Sequence, residues 1–170
     1  MTFEGFFASI IYLIFYLILT FSIFYSFLII KVRQLNSYQL LEFQNLSGLK
    51  LINPFLVLIQ ALSFFSMAGI PPLGGFLSKF LIFLSLIEIN YFKLLLILIL
   101  ISLISAFYYI RPIKLLVFNF TDNPKFLSQV SFFSSLILVL IFLINLFIIV
   151  QPQILFYFFE SFLNKIYLFI

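Results

Sequence analysis

The fold of this chain depends on Ala68-Gly69-Ile70-Pro71-Pro72-Leu73-Gly74-Gly75-Phe76-Leu77-Ser78-Lys79, which interrupts a long apolar sequence. The two prolines remove two backbone N–H donors and restrict two φ angles, so a helix arriving from Asn53 must end or kink near Gly69. The glycine pair that follows allows two backbones to approach each other closely. Lys79 then lies inside the apolar segment 76–89, where an ammonium group needs protein or water around it.

The composition around this stretch is that of an integral membrane protein. Of the 170 residues, 65% are hydrophobic and 8% are charged, which is more apolar surface than a soluble domain of this size could bury. The absence of cysteine and histidine excludes thiolate-bound iron–sulfur clusters, the usual zinc sites, haem held by either residue, and disulfides. The net charge of +4 comes from scattered residues and not from a basic face, so nucleic-acid binding is not expected.

Polar residues divide the apolar sequence into five predicted transmembrane helices and no soluble domain. The predicted all-α membrane domain covers residues 1–150, with spans at about 6–30, 51–70, 72–89, 94–110 and 126–150. Asn53 is expected at the N-cap of the second span and Pro54 at its first helical position, while Arg111-Pro112 is expected to end the fourth. Residues 151–170 are expected to lie along the interface or to pack on another subunit.

Two of the predicted helices have polar side chains along one face. Gln60 and Ser63 share a face of the second span, and Ser102, Ser105 and Tyr109 share a face of the fourth, by their three- and four-residue spacing. The simpler interpretation is that these groups hydrogen-bond to a neighbouring helix. The alternative is that they order water along a proton path.

Lys79 is the one basic residue of nine that does not fall at the end of a span, in a loop or in the tail. Its placement costs at least about 2.5–3.5 kcal/mol on insertion scales before any partner is found. Burial disfavours the charged form of an amine, so such a lysine could load and release protons. The alternative is that it snorkels to the headgroups or forms a structural ion pair. Glu88 is on the opposite face of the same helix and about 13.5 Å along its axis, so a partner acid is expected in another chain.

Several of these segments together resemble a known family. Asn53-Pro54 and the run 66–80 resemble the C-terminal signature of the antiporter-like membrane subunits of respiratory complex I, and among these NADH dehydrogenase subunit 2 most closely. The helix at 11–28 is similar to the span that precedes this signature, and the run 105–111 resembles the aromatic-arginine end of the span that follows it. The resemblance covers most of residues 6–150 in order, and related cation/proton antiporter subunits share the motif.

The resemblance implies a proton-translocating function in which Lys79 matches the buried channel lysine of the second half-repeat. The residues that match the helix boundary beside it are Gly69, Pro71, Pro72, Gly74 and Gly75. It also implies that the chain corresponds to the C-terminal half of an antiporter-like subunit. The first half is then expected either on a separate polypeptide or to have been lost from a shortened subunit, and the isolated chain is expected to have no activity.

The expected cofactors and partners follow from the same resemblance. The chain itself is expected to bind no cofactor, because NADH, FMN, the iron–sulfur clusters and ubiquinone would be bound by other subunits of the complex. Its expected partners are membrane lipids and the other membrane subunits, including a possible chain that provides the missing half. The excess of Phe (28) over Trp (0) and the lack of a presequence indicate an organelle-encoded protein of the mitochondrial inner membrane. Two alternatives stay open: a structural membrane subunit without transport, and a subunit of a cation/proton antiporter.

Overall fold

The computed structural model describes residues 3–29, 49–71, 73–118 and 132–150, together with Tyr157 and Ser161. Every regular element in these ranges is helical, which confirms the all-α prediction. The helices are α1 (Phe3–Ile29), α2 (Leu49–Ile52), α3 (Pro54–Ala68), α4 (Gly74–Glu88), α5 (Phe92–Val117) and α6 (Phe132–Val150). Among them, α1 over Gly5–Ile29 and α5 over its whole length are long and apolar enough to cross a membrane.

The side chains are distributed as in a helix bundle that is surrounded by lipid. Large Leu, Ile and Phe side chains cover the outside of the described helices, and they are densest along α5. The buried polar side chains are mostly serines, together with Gln60 and Asn145. Small polar groups inside and large apolar groups outside are typical of membrane helices, which pack through close backbone contact and hydrogen bonds.

The helix α3 is the most buried element of the described chain. It begins with Pro54 at the first helical position, where the missing N–H would have had no helical partner in any case. Asn53 occupies the predicted N-cap position, but its side chain makes no capping hydrogen bond. Only a narrow stripe that includes Phe55 and Leu58 is exposed, so the rest of the helix surface is in contact with α1, α5 and α6.

α3 and α4 follow one another in a line between α1 and α5. Along α1, the Ser22 and Ser63 hydroxyl oxygens are 3.2 Å apart, and the ring of Phe15, two turns closer to the N-terminus, lies against Gly74. As the chain proceeds from α3 into α4, it contacts residues progressively closer to the N-terminus of α1, so both helices are antiparallel to α1. α5 is also antiparallel to α3 and α4. Its last residue, Val117, accepts a hydrogen bond from the Nζ of Lys50, which precedes α3, whereas Ser102, nearer the start of α5, lies beside the cavity next to α4.

This arrangement makes α3 and α4 two halves of one discontinuous helical segment that runs beside α1. Each has 15 residues, or about 22 Å of helix, whereas the hydrocarbon core is about 30 Å thick. The predicted spans 51–70 and 72–89 are both present as helices, and they lie in line without turning back on each other. Sequence pattern could not show this, because a proline pair ends the hydrogen-bonding of a helix without setting the direction of the next one.

Two predicted boundaries differ from the structure or lie outside the part it describes. α5 continues through Arg111 and Pro112 to Val117, so the predicted end of this helix at Ile110 is wrong. Burial of Ile113 and Leu116 in the core keeps the last two turns helical, and the lost proline hydrogen bond is tolerated as in other membrane helices. The predicted start of the last span, at 126–131, and nearly all of the 151–170 tail lie outside the described residues, so the division at residue 150 stays a prediction.

Candidate functional site

The helix break at the centre of the bundle is formed by a left-handed glycine. Gly69 has φ +85° and ψ +37°, and its N–H donates to the carbonyl of Ser66 at 3.0 Å. The N–H of Ile70 donates to the carbonyl of Phe65 at 3.2 Å, which completes a Schellman motif. The predicted helix end near Gly69 is therefore confirmed. This motif satisfies two of the last four carbonyls of α3, and those of Met67 and Ala68 have no backbone N–H partner among the described residues.

Lys79 provides the missing partner for both of these carbonyls. Its Nζ donates to the Met67 carbonyl oxygen at 2.9 Å and to the Ala68 carbonyl oxygen at 3.3 Å. The side chain thus points from α4 back to the C-terminal end of α3, where the helix dipole favours a cation. Lys79 forms no ion pair with another of the described residues, and its amine is directed into the protein.

The second glycine that the break requires is Gly75, in the first turn of α4. A Cβ at this position would overlap the backbone carbonyl of Ser66, and the Gly75 N–H donates to the Ser66 Oγ at 3.0 Å. The first turn of α4 therefore packs directly on the backbone of the last turn of α3. This close approach brings Lys79, one turn further on, within reach of the end of α3. Pro71 is exposed at the break, and Pro72 lies outside the described residues.

Beside the lysine is a cavity of about 220 Å³ that is lined by residues of α1, α3, α4 and α5 and is partly open to the outside of the bundle. Lys79 is the one charged residue in its lining, which has no acidic side chain among the residues that the structure describes. The hydroxyl groups of its wall belong to Tyr12, Tyr16, Ser66, Ser78, Ser102, Ser105 and Tyr109. A space of this size with several polar partners is large enough for more than one water molecule.

The structure brings three of the predicted water-path residues to this cavity. Ser102 and Ser105 donate their hydroxyl protons to carbonyls of α5 itself, at 2.7 and 2.8 Å. Their oxygens keep lone pairs that can accept from water or from an ammonium group. Tyr109 lines the same cavity and packs against Phe64 with ring centroids 6.5 Å apart.

The other two predicted water-path residues do not line the cavity. Ser63 is hydrogen-bonded to Ser22 of α1 and donates to the carbonyl of Ile59 at 2.9 Å, so it joins two helices. Gln60 is 1% exposed, and neither atom of its amide group has a hydrogen-bond partner in the described part of the chain. Ser63 therefore belongs to the α1–α3 contact, and Gln60 is enclosed in the interior of the bundle.

Sequence reasoning did not select the tyrosines of α1 as part of the site. Tyr12 and Tyr16 are one turn apart with stacked rings, 6.2 Å between centroids, and both line the cavity opposite α5. Their four-residue spacing was visible in the sequence, but aromatic residues are so frequent in this chain that spacing alone did not distinguish them. Ser66 and Ser78 were missed for a similar reason, because small polar residues also mediate ordinary helix packing.

The described residues contain no cluster of the side chains that most often bind metal ions. No group of three or more His, Cys, Asp or Glu side chains is present within the described ranges. The chemistry available at the break therefore consists of one amine, tyrosine and serine hydroxyls, and backbone carbonyls. Such a set can bind water and transfer protons.

Comparison with known proteins gives this site a family context. Residues 1–105 match the family described as NADH:quinone oxidoreductase/Mrp antiporter, transmembrane. The matched range includes α1, the helix break, Lys79 and both cavity serines of α5, whereas Tyr109 lies beyond it.

Three relatives illustrate the similarity. NADH-quinone oxidoreductase subunit N of Pelagibacter ubique is 36% identical over 146 residues, which are 82% of this chain and 30% of the relative. Subunit N of Nitrosomonas europaea is 34% identical over 122 residues, 72% of this chain and 25% of the relative. NADH-ubiquinone oxidoreductase chain 2 of Marchantia polymorpha is 36% identical over 124 residues, 73% of this chain and 24% of the relative. The chain thus spans less than a third of the length of these relatives.

Proposed function

Because this chain belongs to the NADH:quinone oxidoreductase/Mrp antiporter transmembrane family, we propose that it is a non-redox, proton-translocating membrane subunit of NADH:quinone oxidoreductase, respiratory complex I. Lys79 is the proposed proton carrier. One observation carries the proposal: the amine of Lys79 lies inside the helix bundle, at a helix break and beside a cavity lined by hydroxyl groups. The electron-transfer steps take place in other subunits.

Two opposing effects on Lys79 make proton exchange at its amine physically reasonable. The carbonyls of Met67 and Ala68 and the negative end of the α3 dipole stabilise the ammonium form. The apolar surroundings and the absence of an acidic side chain in the described lining favour the neutral amine. A small change in nearby charge, such as a proton arriving in an adjoining subunit, can then decide which form is present.

Water in the cavity is the proposed route to and from the lysine. Ser102 and Ser105 offer acceptor oxygens, because their own protons are used on α5 carbonyls. Tyr109, across from Tyr12 and Tyr16, adds a group that both donates and accepts. Protons would move along hydrogen-bonded water between these groups and the amine.

We further propose that the chain corresponds to the C-terminal part of an antiporter-like subunit. The signature run 66–80 supports the C-terminal assignment. The similarity to a chain 2 protein of Marchantia polymorpha and the composition support a mitochondrial inner membrane location. Other membrane subunits of the complex and lipids are the proposed partners.

The decisive experiment replaces Lys79 by Met in the complete complex. Lys79→Met removes the titratable group and keeps a long apolar side chain, so coupled proton pumping in liposomes is expected to fall by roughly tenfold or more with the complex still assembled. The matched control is Lys93→Met, which removes an exposed lysine at the start of α5 and should leave pumping unchanged. The measurement is the number of protons moved per NADH oxidised, together with the rate. Normal pumping by assembled Lys79→Met complex would overturn the assignment.

Two other functions have an observation in their favour. Both hydrogen bonds of Lys79 are to the end of α3, so a purely structural role predicts that Lys79→Met lowers the yield of complex and leaves the protons per NADH unchanged. The matching family includes Mrp antiporters, so the third function is a subunit of a cation/proton antiporter. Sodium-dependent proton movement in the absence of NADH would support this third function.

A further inference from the structure

The cavity beside Lys79 has a side opening between α1 and α5. These two helices pack on α3 and α4 from two sides but do not pack closely against each other. Tyr16 of α1 and Ile101 of α5 both line the cavity and are nevertheless 40% and 55% exposed, so they form its rim. One turn from them, Leu13 and Ile97 are exposed apolar side chains. The opening therefore faces the apolar surroundings of the bundle, near the middle of both helices.

The cavity contains hydrogen-bond donors that the described residues leave unused. An ammonium group has three N–H donors, and Lys79 gives two of them to the carbonyls at the end of α3. Its third N–H has no acceptor within the described ranges. The hydroxyl groups of Tyr12, Tyr16 and Tyr109 line the same space, and they make no hydrogen bond to another described residue. A ligand with acceptor oxygens can therefore bind to one cation and to several phenol groups at once.

The charge of the lining favours a ligand with a single negative charge. Lys79 is the one charged residue that lines the cavity in the described chain. A carboxylate has one charge and two acceptor oxygens, so it balances one ammonium group. A phosphate monoester has a charge of about −1.5 to −2 at neutral pH, and the excess would be buried without a partner.

The rest of the cavity wall suits the hydrocarbon part of such a ligand. Its apolar side chains are Phe15, Leu19, Ile82, Phe83 and Leu98. A cavity of about 150 Å³ admits benzene in another protein, so a carboxylate and its first methylene groups fit into the 220 Å³ available here. A longer chain would leave through the opening and lie along the apolar side chains between α1 and α5.

We propose that this cavity is a binding site for a long-chain fatty acid, which enters from the side between α1 and α5. Its carboxylate accepts from the third N–H of Lys79 and from the tyrosine hydroxyls, and its chain occupies the apolar opening. Bound fatty acid holds Lys79 in the charged form and excludes water from the cavity, so it inhibits the complex. The inhibition rests on the proposed function, whereas the binding does not.

Binding can be tested in the complete complex, in phosphatidylcholine vesicles, with a palmitic acid analogue that carries a photoreactive diazirine on its chain. We expect mass spectrometry to find the label on the segments of α1 and α5 that contain Tyr16 and Ile101. Palmitate should displace the analogue at a concentration lower by about tenfold or more than methyl palmitate, which has the same chain without the charge. Equal displacement by the ester, or label on other segments alone, would overturn the site.

Two pairs of variants test the tyrosine hydroxyls. Tyr12→Phe with Tyr16→Phe removes two donors and keeps both rings, so half-maximal labelling should require about tenfold more analogue. Tyr91→Phe with Tyr108→Phe is the matched control, because these two tyrosines are exposed and do not line the cavity. Its labelling should equal that of the wild type. The same affinity in both paired variants would contradict the proposed head-group contacts.

The inhibition is measured as the rate of NADH oxidation by the complex with a protonophore present, so that proton transport by palmitate itself has no influence. The rate should fall over the concentration range in which palmitate displaces the analogue, and Tyr12→Phe with Tyr16→Phe should shift this range by about the same tenfold factor. An undiminished rate at full occupancy would reject the inhibition and leave the binding site intact. Loss of labelling in Lys79→Met together with normal pumping would support the binding site and reject the proposed function.

Discussion

Lys79 is held by backbone carbonyls, and no carboxylate among the described residues accompanies it. A buried lysine paired with an acid is stabilised mainly in the charged form, whereas carbonyl dipoles give a weaker and more adjustable preference. The two carbonyls that it bonds, those of Met67 and Ala68, are the pair that the Schellman motif leaves free. One side chain thus completes the end of a helix and brings a titratable group to the cavity.

The glycine at position 75 should be the least replaceable residue of the break. In Gly75→Ala the new Cβ would meet the Ser66 backbone carbonyl, which cannot move without displacing α3, so assembled complex is expected to be lost or destabilised by at least about 1–3 kcal/mol. Native gel electrophoresis and thermal inactivation of the extracted complex measure this effect. Gly74→Ala is the control and should have a smaller effect. Its new Cβ would lie 2.8 Å from the edge of the Phe15 ring, and this side chain can shift. An equal or larger effect at Gly74 would contradict the proposed packing.

At the scale of elements, the discontinuous pair α3–α4 places helix ends in the interior of the bundle. The C-terminal end of α3 would leave carbonyls unsatisfied in a low-dielectric environment, and both the Schellman motif and Lys79 prevent this. The N-terminal turn of α4 is joined to α3 by the Gly75–Ser66 hydrogen bond. Irregular backbone inside a membrane is tolerated where it is buried in protein or lines a polar cavity, and this break lies between helices and beside the Lys79 cavity.

Cysteine cross-linking should distinguish an in-line pair from two helices that turn back on each other. The chain has no cysteine, so introduced pairs are free of background within it. Ser22→Cys with Ser63→Cys should form a disulfide readily, because the two oxygens are 3.2 Å apart. Ser22→Cys with Ser78→Cys should stay reduced, since α4 continues away from Ser22 along α1. Efficient cross-linking of this second pair would contradict the in-line arrangement. Mobility on non-reducing gels provides the measurement.

At the scale of the whole molecule, the described helices expose a nearly continuous apolar surface. α5 in particular presents large side chains such as Phe107 and Leu103, which are 76% and 62% exposed. Lipid tails and neighbouring membrane helices can both cover such a surface. The chain also spans at most 30% of the length of the three relatives described.

We expect the chain to co-purify in mild detergent with the other membrane subunits and with the peripheral redox subunits of NADH:quinone oxidoreductase. The apolar surface and the family membership are the reasons. Mass spectrometry of the complex isolated on a native gel gives the subunit list and the size of the polypeptide that contains this sequence. Isolation with antiporter subunits alone would contradict the proposed function.

Much of the site could be predicted because it depends on the local chemistry of consecutive residues. The membrane class follows from apolar content, the end of α3 from two prolines without N–H groups, and the exceptional position of Lys79 from its place within an apolar segment. The polar face of Ser102, Ser105 and Tyr109 followed from helical spacing. Each of these features is independent of which helices become neighbours.

Only the tertiary structure decided how distant helices meet. It placed α3 and α4 in line, directed Lys79 to the end of α3, added Tyr12 to the cavity and left the Gln60 amide enclosed. The sequence could not determine these features, because lipid accepts almost any apolar helix face and hydropathy is the same whichever face is buried. The choice between packed and lipid-facing sides is made by close contacts, such as the Gly75–Ser66 approach, and these exist only in the folded chain.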